Sequence, residues 1–424
     1  MKLITAPWLL FPKDSDAVQN GALAVDEDKI VAVGPKENLK KEFPSAAVED
    51  FPKGVLIPGL VNAHCHIDRI GFFERFTIET ENQLSPVTWL LEGLHYLSKT
   101  PAGAVTEKIQ KGLGQLLSNG TTCIGAMTHY EGTFLLFQNH PIRGVIFQEI
   151  LSGPDKRAQQ RFEVALALME QYQDAKPNHL KIGLGPYAAY LLSKNLLNVI
   201  AGHAKDGKLP LQMHAAESFA ETEFFYDSKG TIATQLFPAI GWEELPPAFR
   251  KTPIQYLEEI GFFITPISLI GGYQLSTSDF ARLAKAQATI VYCPSANRRF
   301  KLGQLSLKSL KEHNIPVALG TELVTQPEGF DLWEEMRLAM KDGSNPLPTP
   351  LELLKMATLG GAKALNFEKE IGSLSPGKKA DYLVVDLPDG DCSTLPELCK
   401  GLVLQTTSSS IKRVAIGGQI VCGN

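Results

Sequence analysis

Short apolar runs alternate with helical stretches along most of the chain, and this alternation constrains the fold more than any other feature. Eight runs have the length and character of buried strands: Val55–Leu60, Thr121–Ala126, Gly144–Glu149, Lys181–Leu184, Pro210–His214, Ile267–Ile270, Ala288–Tyr292 and Pro316–Leu319. Helical candidates lie between them: Ala104–Leu117, Gln160–Tyr172, Asp279–Lys285 and Leu305–His313. Eight such alternations predict an α/β protein with a (β/α)8 barrel, whose reactive groups lie at the carboxyl ends of the strands. An open doubly wound sheet is the alternative, but no GxGxxG motif follows the first strand.

Two histidines follow the first of these runs, in the segment Pro58-Gly59-Leu60-Val61-Asn62-Ala63-His64-Cys65-His66. Side chains alternate along a strand, so His64 and His66 point to the same side. Two imidazoles at that spacing can bind one metal ion together. The alternative is two unrelated polar residues in a loop. The apolar strand and the Pro-Gly pair that precede the histidines favour the metal site.

Two later strands end in further candidate ligands. The fifth predicted strand ends at His214, with Glu217 three residues on, and the eighth is followed by Glu322. Three imidazoles and a carboxylate would hold one Zn²⁺ or Fe²⁺ and lower the pKa of a bound water molecule. Glu217 would then serve as a proton shuttle. The plainer interpretations are a core histidine at 214 and a solvated loop carboxylate at 322.

Composition excludes several classes of function. The 424 residues are 44% hydrophobic and 21% charged, with a net charge of −5 and a sequence pI near 6.0. This balance argues against nucleic-acid binding and against a basic membrane-binding surface. No apolar run approaches the ~20 residues of a membrane span. The six cysteines show no CxxC spacing, so we expect reduced thiols and a cytoplasmic location.

The chain resembles the amidohydrolase superfamily, in the branch that holds the chlorohydrolases and the guanine, adenosyl and cytosine-type deaminases. The histidine segment is similar to the signature of that branch, and matching segments follow in order. They are Gly120–Thr122, Leu184–Tyr187, Met213–Glu217, Tyr292–Asn297, Leu319–Glu322 and Ile371–Asp381. The segment Thr252–Leu257 is most similar to aminofutalosine deaminase-like members.

The resemblance implies a division into two domains, and the sequence pattern at both ends of the chain agrees with it. Short strand-like runs occur near both ends: Ala22–Val25, Lys29–Val33, Ala47–Asp50, Asp381–Asp386 and Ile411–Ile420. Residues 1–57 and 369–424 would form one small β-sandwich domain, and residues 58–368 the barrel. One divalent metal ion, zinc or iron, and a homodimer are also typical of the family.

Three positions depart from the family pattern. Gly271 stands where the sixth strand normally ends in a histidine that orients the attacking water. Glu322 stands where an aspartate normally binds the metal, and Tyr187 where a histidine meets the substrate. A misplaced group can cost ~10²-fold in rate, and a lost water-orienting or electrostatic group another ~10²–10³.

Two functions therefore remain open. The first is a metal-dependent hydrolase that deaminates a purine- or nucleoside-like small molecule, with His64, His66, His214 and Glu322 as metal ligands and Glu217 and Glu322 as catalytic residues. Substrate-binding candidates are Trp89, Tyr187, Tyr273 and Gln274. Tyr273 or Gln274 would hydrogen-bond the water in place of the missing imidazole. The second is a catalytically silenced, metal-free barrel that serves as a binding or scaffold protein.

Overall fold

The computed structural model describes residues 1–11, 15–72, 85–151, 155–172, 179–242, 244–323, 329–343, 346–390 and 392–423. The strands of these residues are β1 Lys2–Leu10, β2 Ala17–Asp26, β3 Lys29–Pro35, β4 Ala47–Asp50, β5 Gly54–Pro58, β6 Leu60–Cys65, β7 Thr121–Thr128, β8 Arg143–Ile150, β9 Leu180–Pro186, β10 Gln212–Ala215, β11 Ser268–Gly271, β12 Thr289–Tyr292, β13 Val317–Leu319, β14 Tyr382–Asp386, β15 Ile411–Ile416 and β16 Gln419–Gly423.

Helices separate the barrel strands, as the sequence predicts. The described helices span Lys36–Glu42, Pro86–Lys99, Ala102–Ser118, Thr133–Gln138, Asp155–Tyr172, Lys194–Asp206, Phe219–Asp227, Phe237–Ala239, Pro253–Glu259, Thr277–Lys285, Pro294–Phe300, Leu307–Glu312, Leu332–Ala339, Pro350–Lys355, Gly361–Ala364 and Leu395–Gln405. Helix Ala102–Ser118 shows why they form: Val105, Ile109 and Leu113 recur every four residues and are buried. Within the described ranges, no helix is long and apolar enough to cross a bilayer.

Eight parallel strands form the barrel. They pair as two four-stranded sheets, β6-β7-β8-β9 and β10-β11-β12-β13. Isolated bridges join the two sheets on both sides: Leu184 pairs with Leu211 and Ala188 with His214 on one side, and Cys65 pairs with Glu322 on the other. The predicted barrel is confirmed, and the carboxyl ends of β6, β10 and β13 face one rim.

The two chain ends build one further sheet, in the order β16-β15-β14-β5-β1-β2-β3. Its strand β1 forks, because β4 pairs with Lys2–Thr5 and β5 pairs with Trp8 and Leu9. The predicted small β domain is thus a branched sheet. Its division from the barrel at residues 58 and 368 stays a prediction.

One strand assignment was wrong. The run Val55–Leu60 is not the first barrel strand, because β5 pairs with β14 and β1 of the small sheet. The first barrel strand is β6, which begins after Gly59. A Cβ at Gly59 would lie 2.1 Å from Thr122 Oγ1, so only glycine allows the chain to pass this close to β7. The two strands form one apolar run in the sequence, and only the Pro58-Gly59 pair marks the change of sheet.

Candidate metal centre

The four predicted metal ligands meet at the carboxyl rim of the barrel. His64 lies within β6 and His66 directly after it, His214 lies in β10, and Glu322 follows β13. One nitrogen or oxygen atom from each side chain lies within 4.8 Å of the others. All four residues are at most 2% exposed. Strands distant in sequence therefore place three imidazoles and one carboxylate around a single buried point.

Glu322 reaches this point in spite of its extra methylene group. Its Oε2 lies 3.0 Å from His64 Nε2, and its Oε1 lies 3.4 Å from His66 Nε2. The backbone at Glu322 adopts the left-handed conformation, with φ of 54°. The end of β6 holds it there from both sides, because the N–H of His66 donates to the Glu322 carbonyl at 2.9 Å and the N–H of Glu322 donates to the His64 carbonyl at 3.2 Å. The longer acid is therefore accommodated within the cluster.

A neutral amide fixes the orientation of His64. Its Nδ1 lies 2.8 Å from Oε1 of Gln212, and the Gln212 Nε2 donates to the carbonyl of Ala63 at 3.0 Å. Because the Gln212 nitrogen is the donor in that second bond, its oxygen must accept from Nδ1–H of His64. The lone pair of His64 then resides on Nε2, on the side of Glu322.

His214 is held between an acid and an aromatic ring. Its Nδ1 lies 3.3 Å from Oε2 of Glu217, and its ring stacks on Tyr187 with 4.6 Å between centroids. Burial alone lowers the pKa of His214, but the charges of Glu217 and Glu322 outweigh it and raise that pKa to about 9. A cation, whether a proton or a metal ion, is therefore favoured between these groups.

The donor set fits a divalent metal ion. The Nε2 atoms of His64, His66 and His214 are buried and have no partner in hydrogen-bond geometry among the described residues. Buried polar atoms without partners are costly, and a bound cation would satisfy all of them. Burial and the charge of Arg69 lower the pKa of His66 to about 3, which keeps that imidazole neutral, as a metal ligand must be.

A buried ion pair beside His66 was not predicted from the sequence. Arg69 Nη2 donates to both oxygens of Glu149, at 2.6 and 2.8 Å. Burial would raise the pKa of Glu149, but Arg69 and the neighbouring His129 hold it well below its usual range. Glu149 was the last residue of the predicted third strand. A carboxylate at the carboxyl end of a barrel strand was therefore the available signal.

Gly271 leaves no room for the histidine of the family pattern. Its φ is 101°, a conformation that residues with a side chain rarely adopt. A Cβ built there would lie 2.9 Å from the Cβ of Glu217. The space beside the end of β11 is thus taken by Glu217. Glu221 supports this arrangement, because its Oε2 accepts the backbone N–H of Glu217 at 2.9 Å.

The four substrate-binding candidates separate into two pairs. Trp89 and Tyr187 lie beside the centre, with ring centroids 6.5 and 6.2 Å from that of His66. The Tyr273 hydroxyl lies 3.3 Å from both the backbone N and the backbone O of Cys293, and the Gln274 amide donates to the carbonyl of Leu302. Backbone groups engage both of these polar ends. A substrate-binding role for any of the four stays a prediction.

Comparison with known families agrees with the arrangement of strands and ligands. A family model described as "Amidohydrolase family" matches residues 55–421. The chain belongs to the amidohydrolase family. A second model, "Imidazolonepropionase-like composite domain, bacteria", matches residues 21–46, within the small sheet of this amidohydrolase.

Similar amidohydrolases include two groups of curated deaminases. A 5-methylthioadenosine/S-adenosylhomocysteine deaminase of Moorella thermoacetica is 24% identical over 99% of this chain and 94% of its own. An aminodeoxyfutalosine deaminase of Nitratiruptor sp. is 26% identical over 99% of both chains. A crystal structure of an adenosine deaminase from Xanthomonas campestris, with bound zinc, superposes with a TM-score of 0.84 at 22% identity and covers 99% of this chain and 92% of its own. This last likeness confirms the fold.

Proposed function

We propose that this amidohydrolase is a mononuclear metal enzyme that removes an amino group from a purine- or nucleoside-like small molecule. The observation that carries the proposal is the convergence of His64, His66, His214 and Glu322 on one buried point with unsatisfied nitrogen atoms. The curated relatives are named as deaminases of nucleoside-like compounds, and this supports the substrate class. Zinc in the neighbouring adenosine deaminase structure supports zinc as the metal. A cytoplasmic location and a homodimer stay predictions.

The residues around the centre suit hydrolytic deamination, in which water replaces an amino group and ammonia leaves. A bound zinc or iron ion would act as a Lewis acid and lower the pKa of a water molecule toward neutrality. Glu322 would take a proton from the attacking water. Glu217, beside His214, would carry a proton to the leaving amine. Trp89 and Tyr187 would flank a flat ring.

A silenced amidohydrolase that binds a ligand without converting it is the second candidate. Gly271 favours it, because this position offers no imidazole to orient the water. Three features oppose it: the reach of Glu322 into the cluster, the retained Glu217, and the place of Glu217 in the space beside Gly271. The site lacks the histidine of the family's sixth strand but has the Glu217 carboxylate in the same region.

Metal content and ammonia release test the proposal together. We expect the purified protein to hold about one equivalent of zinc or iron. It should release ammonia from at least one of adenosine, 5-methylthioadenosine and S-adenosylhomocysteine. His66→Ala should abolish both metal binding and turnover. A wild-type protein that stays metal-free after incubation with zinc and with iron would overturn the proposal of a metal enzyme and favour the silenced barrel.

A further inference from the structure

We infer that Glu149, held by Arg69, is a positioning residue that orients His66 toward the metal. The inference rests on the proposed function, because it concerns a ligand of the same metal centre. It assigns a role to a buried ion pair that the deamination chemistry does not itself use.

The geometry places Glu149 against the nitrogen of His66 that faces away from the cluster. Glu149 Oε1 lies 3.6 Å from Nδ1 of His66, while the Nε2 of that ring lies 3.4 Å from Glu322. His66 Nδ1 has no hydrogen-bond partner among the residues described. A carboxylate opposite Nδ1 favours the tautomer with the proton on Nδ1, which leaves the Nε2 lone pair for the metal.

A short turn brings His66 and Arg69 to the same carboxylate. Residues Ile67–Arg69 form one turn of 3₁₀ helix directly after His66. His66 directly precedes this turn and Arg69 ends it, so the turn places both residues beside the end of β8. Both meet Glu149, whose Oε1 lies 2.6 Å from Arg69 Nη2. The turn and the end of β8 thus form one unit.

Arg69 offsets the cost of burying the Glu149 carboxylate and fixes its orientation. An ionised carboxylate with 0% exposure is costly unless a cation pairs with it. Arg69 binds both oxygens, so Glu149 cannot rotate away from His66 without breaking two charge-assisted bonds. The guanidinium also lies 5.7 Å from the ring centroid of Trp89, which connects the pair to helix Pro86–Lys99.

The two histidines of the motif are therefore held in different ways. His64 donates to an uncharged amide that is anchored on the backbone. His66 faces a carboxylate anchored on a buried arginine. The orientation of His64 is thus fixed by a neutral hydrogen bond, and that of His66 by a charged group opposite its Nδ1.

The test compares metal affinity in Glu149→Gln with that in His129→Gln. Glutamine keeps the size of Glu149 but not its charge. His129 lies 3.3 Å from the other oxygen of Glu149 and is partly exposed, and it has no place among the ligands, so it is the matched control. Zinc affinity is measured by chelator competition, and the visible spectrum of the cobalt-substituted protein reports the geometry of the centre.

Glu149→Gln should bind zinc about 10–100-fold more weakly and shift the cobalt spectrum, while His129→Gln stays near wild type. If Glu149→Gln fails to fold, the double variant Arg69→Gln/Glu149→Gln, which leaves no unpaired buried charge, should show the same loss. Wild-type affinity in either folded variant, with only a lower melting temperature, would mean that the pair is structural and would overturn the inference. A wild-type protein that binds neither metal would instead overturn the proposed function, and the inference with it.

Discussion

Two buried carboxylates, one in each half of the barrel, are held in opposite ways. In the half formed by β6–β9, Glu149 has a buried arginine as its partner, and its pKa lies well below the usual range. In the half formed by β10–β13, Glu335 accepts hydrogen bonds from the backbone and hydroxyl of Ser295. Burial there raises the pKa of Glu335 to about 8. At similar burial, the local partners therefore favour the ionised form of Glu149 and the protonated form of Glu335.

The two halves also contribute different groups at the rim of the barrel. The first half contributes His64 and His66. His64 is held by the neutral amide of Gln212 in β10, and only His66 lies against the charged Arg69–Glu149 pair. The second half contributes His214, Glu322 and the proton carrier Glu217, and its strand β11 ends at Gly271 without a side chain. Metal binding is therefore divided between the halves, whereas both proton-carrying carboxylates belong to the second. Substitutions in each half should separate these two properties.

Glu217→Gln should produce the largest effect on turnover with the least effect on metal content. The amide keeps the size of the side chain but cannot carry a proton, so kcat should fall by roughly 10²–10⁴. Metal content, measured by elemental analysis, should stay at the wild-type level. Loss of the metal in this variant would show that Glu217 also holds the ion, through its contact with His214, and would break the separation of proton transfer from metal binding.

Glu322→Asp tests the residue that joins the halves, since Cys65 and Glu322 form the closing bridge of the barrel. The shorter side chain withdraws the carboxylate from Nε2 of His64 and of His66, which now lie 3.0 and 3.4 Å away. A displacement of about 1 Å can cost 10²-fold in rate, and we expect a loss of that order in kcat/KM with weaker zinc binding. A gain in activity would identify Glu322 as the lesion of a silenced site.

The sequence predicted the ligands because alternation along a strand places His64 and His66 on one side, whatever the surrounding fold. It could not predict the Arg69–Glu149 pair, whose members are 80 residues apart and meet only when the barrel closes. From the sequence alone, Gly271 was only a position at which the family's histidine is absent. Its positive φ and its contact with Glu217 depend on tertiary structure, and both would strain a histidine at this position.

Gly271→Ala should reduce kcat by about tenfold, because the new methyl group would press on the Cβ of Glu217 at 2.9 Å. The backbone strain should also cost about 1–3 kcal/mol of unfolding free energy. Gly272→Ala is the matched control: its φ is also positive, at 74°, but its nearest contact is Leu275 at 3.4 Å. Both variants should lose stability, and only Gly271→Ala should lose turnover. Equal kcat values would mean that Glu217 does not depend on this space.

The smallest effect on turnover concerns Glu335, and it tests the electrostatic contrast between Glu149 and Glu335 directly. Because burial raises the pKa of Glu335 from its usual value of 4.5 to about 8, the folded state retains a proton that the unfolded state releases between these values. Stability is therefore full below the lower value and falls as the pH rises toward the upper one. Glu335→Gln removes this proton equilibrium while keeping an acceptor for Ser295. Urea unfolding at about pH 5 and about pH 9 should show a smaller decline for the variant than for wild type. Parallel declines in the two proteins would mean that Glu335 is ionised in the folded state, as Glu149 is, and would remove the contrast between these two buried acids.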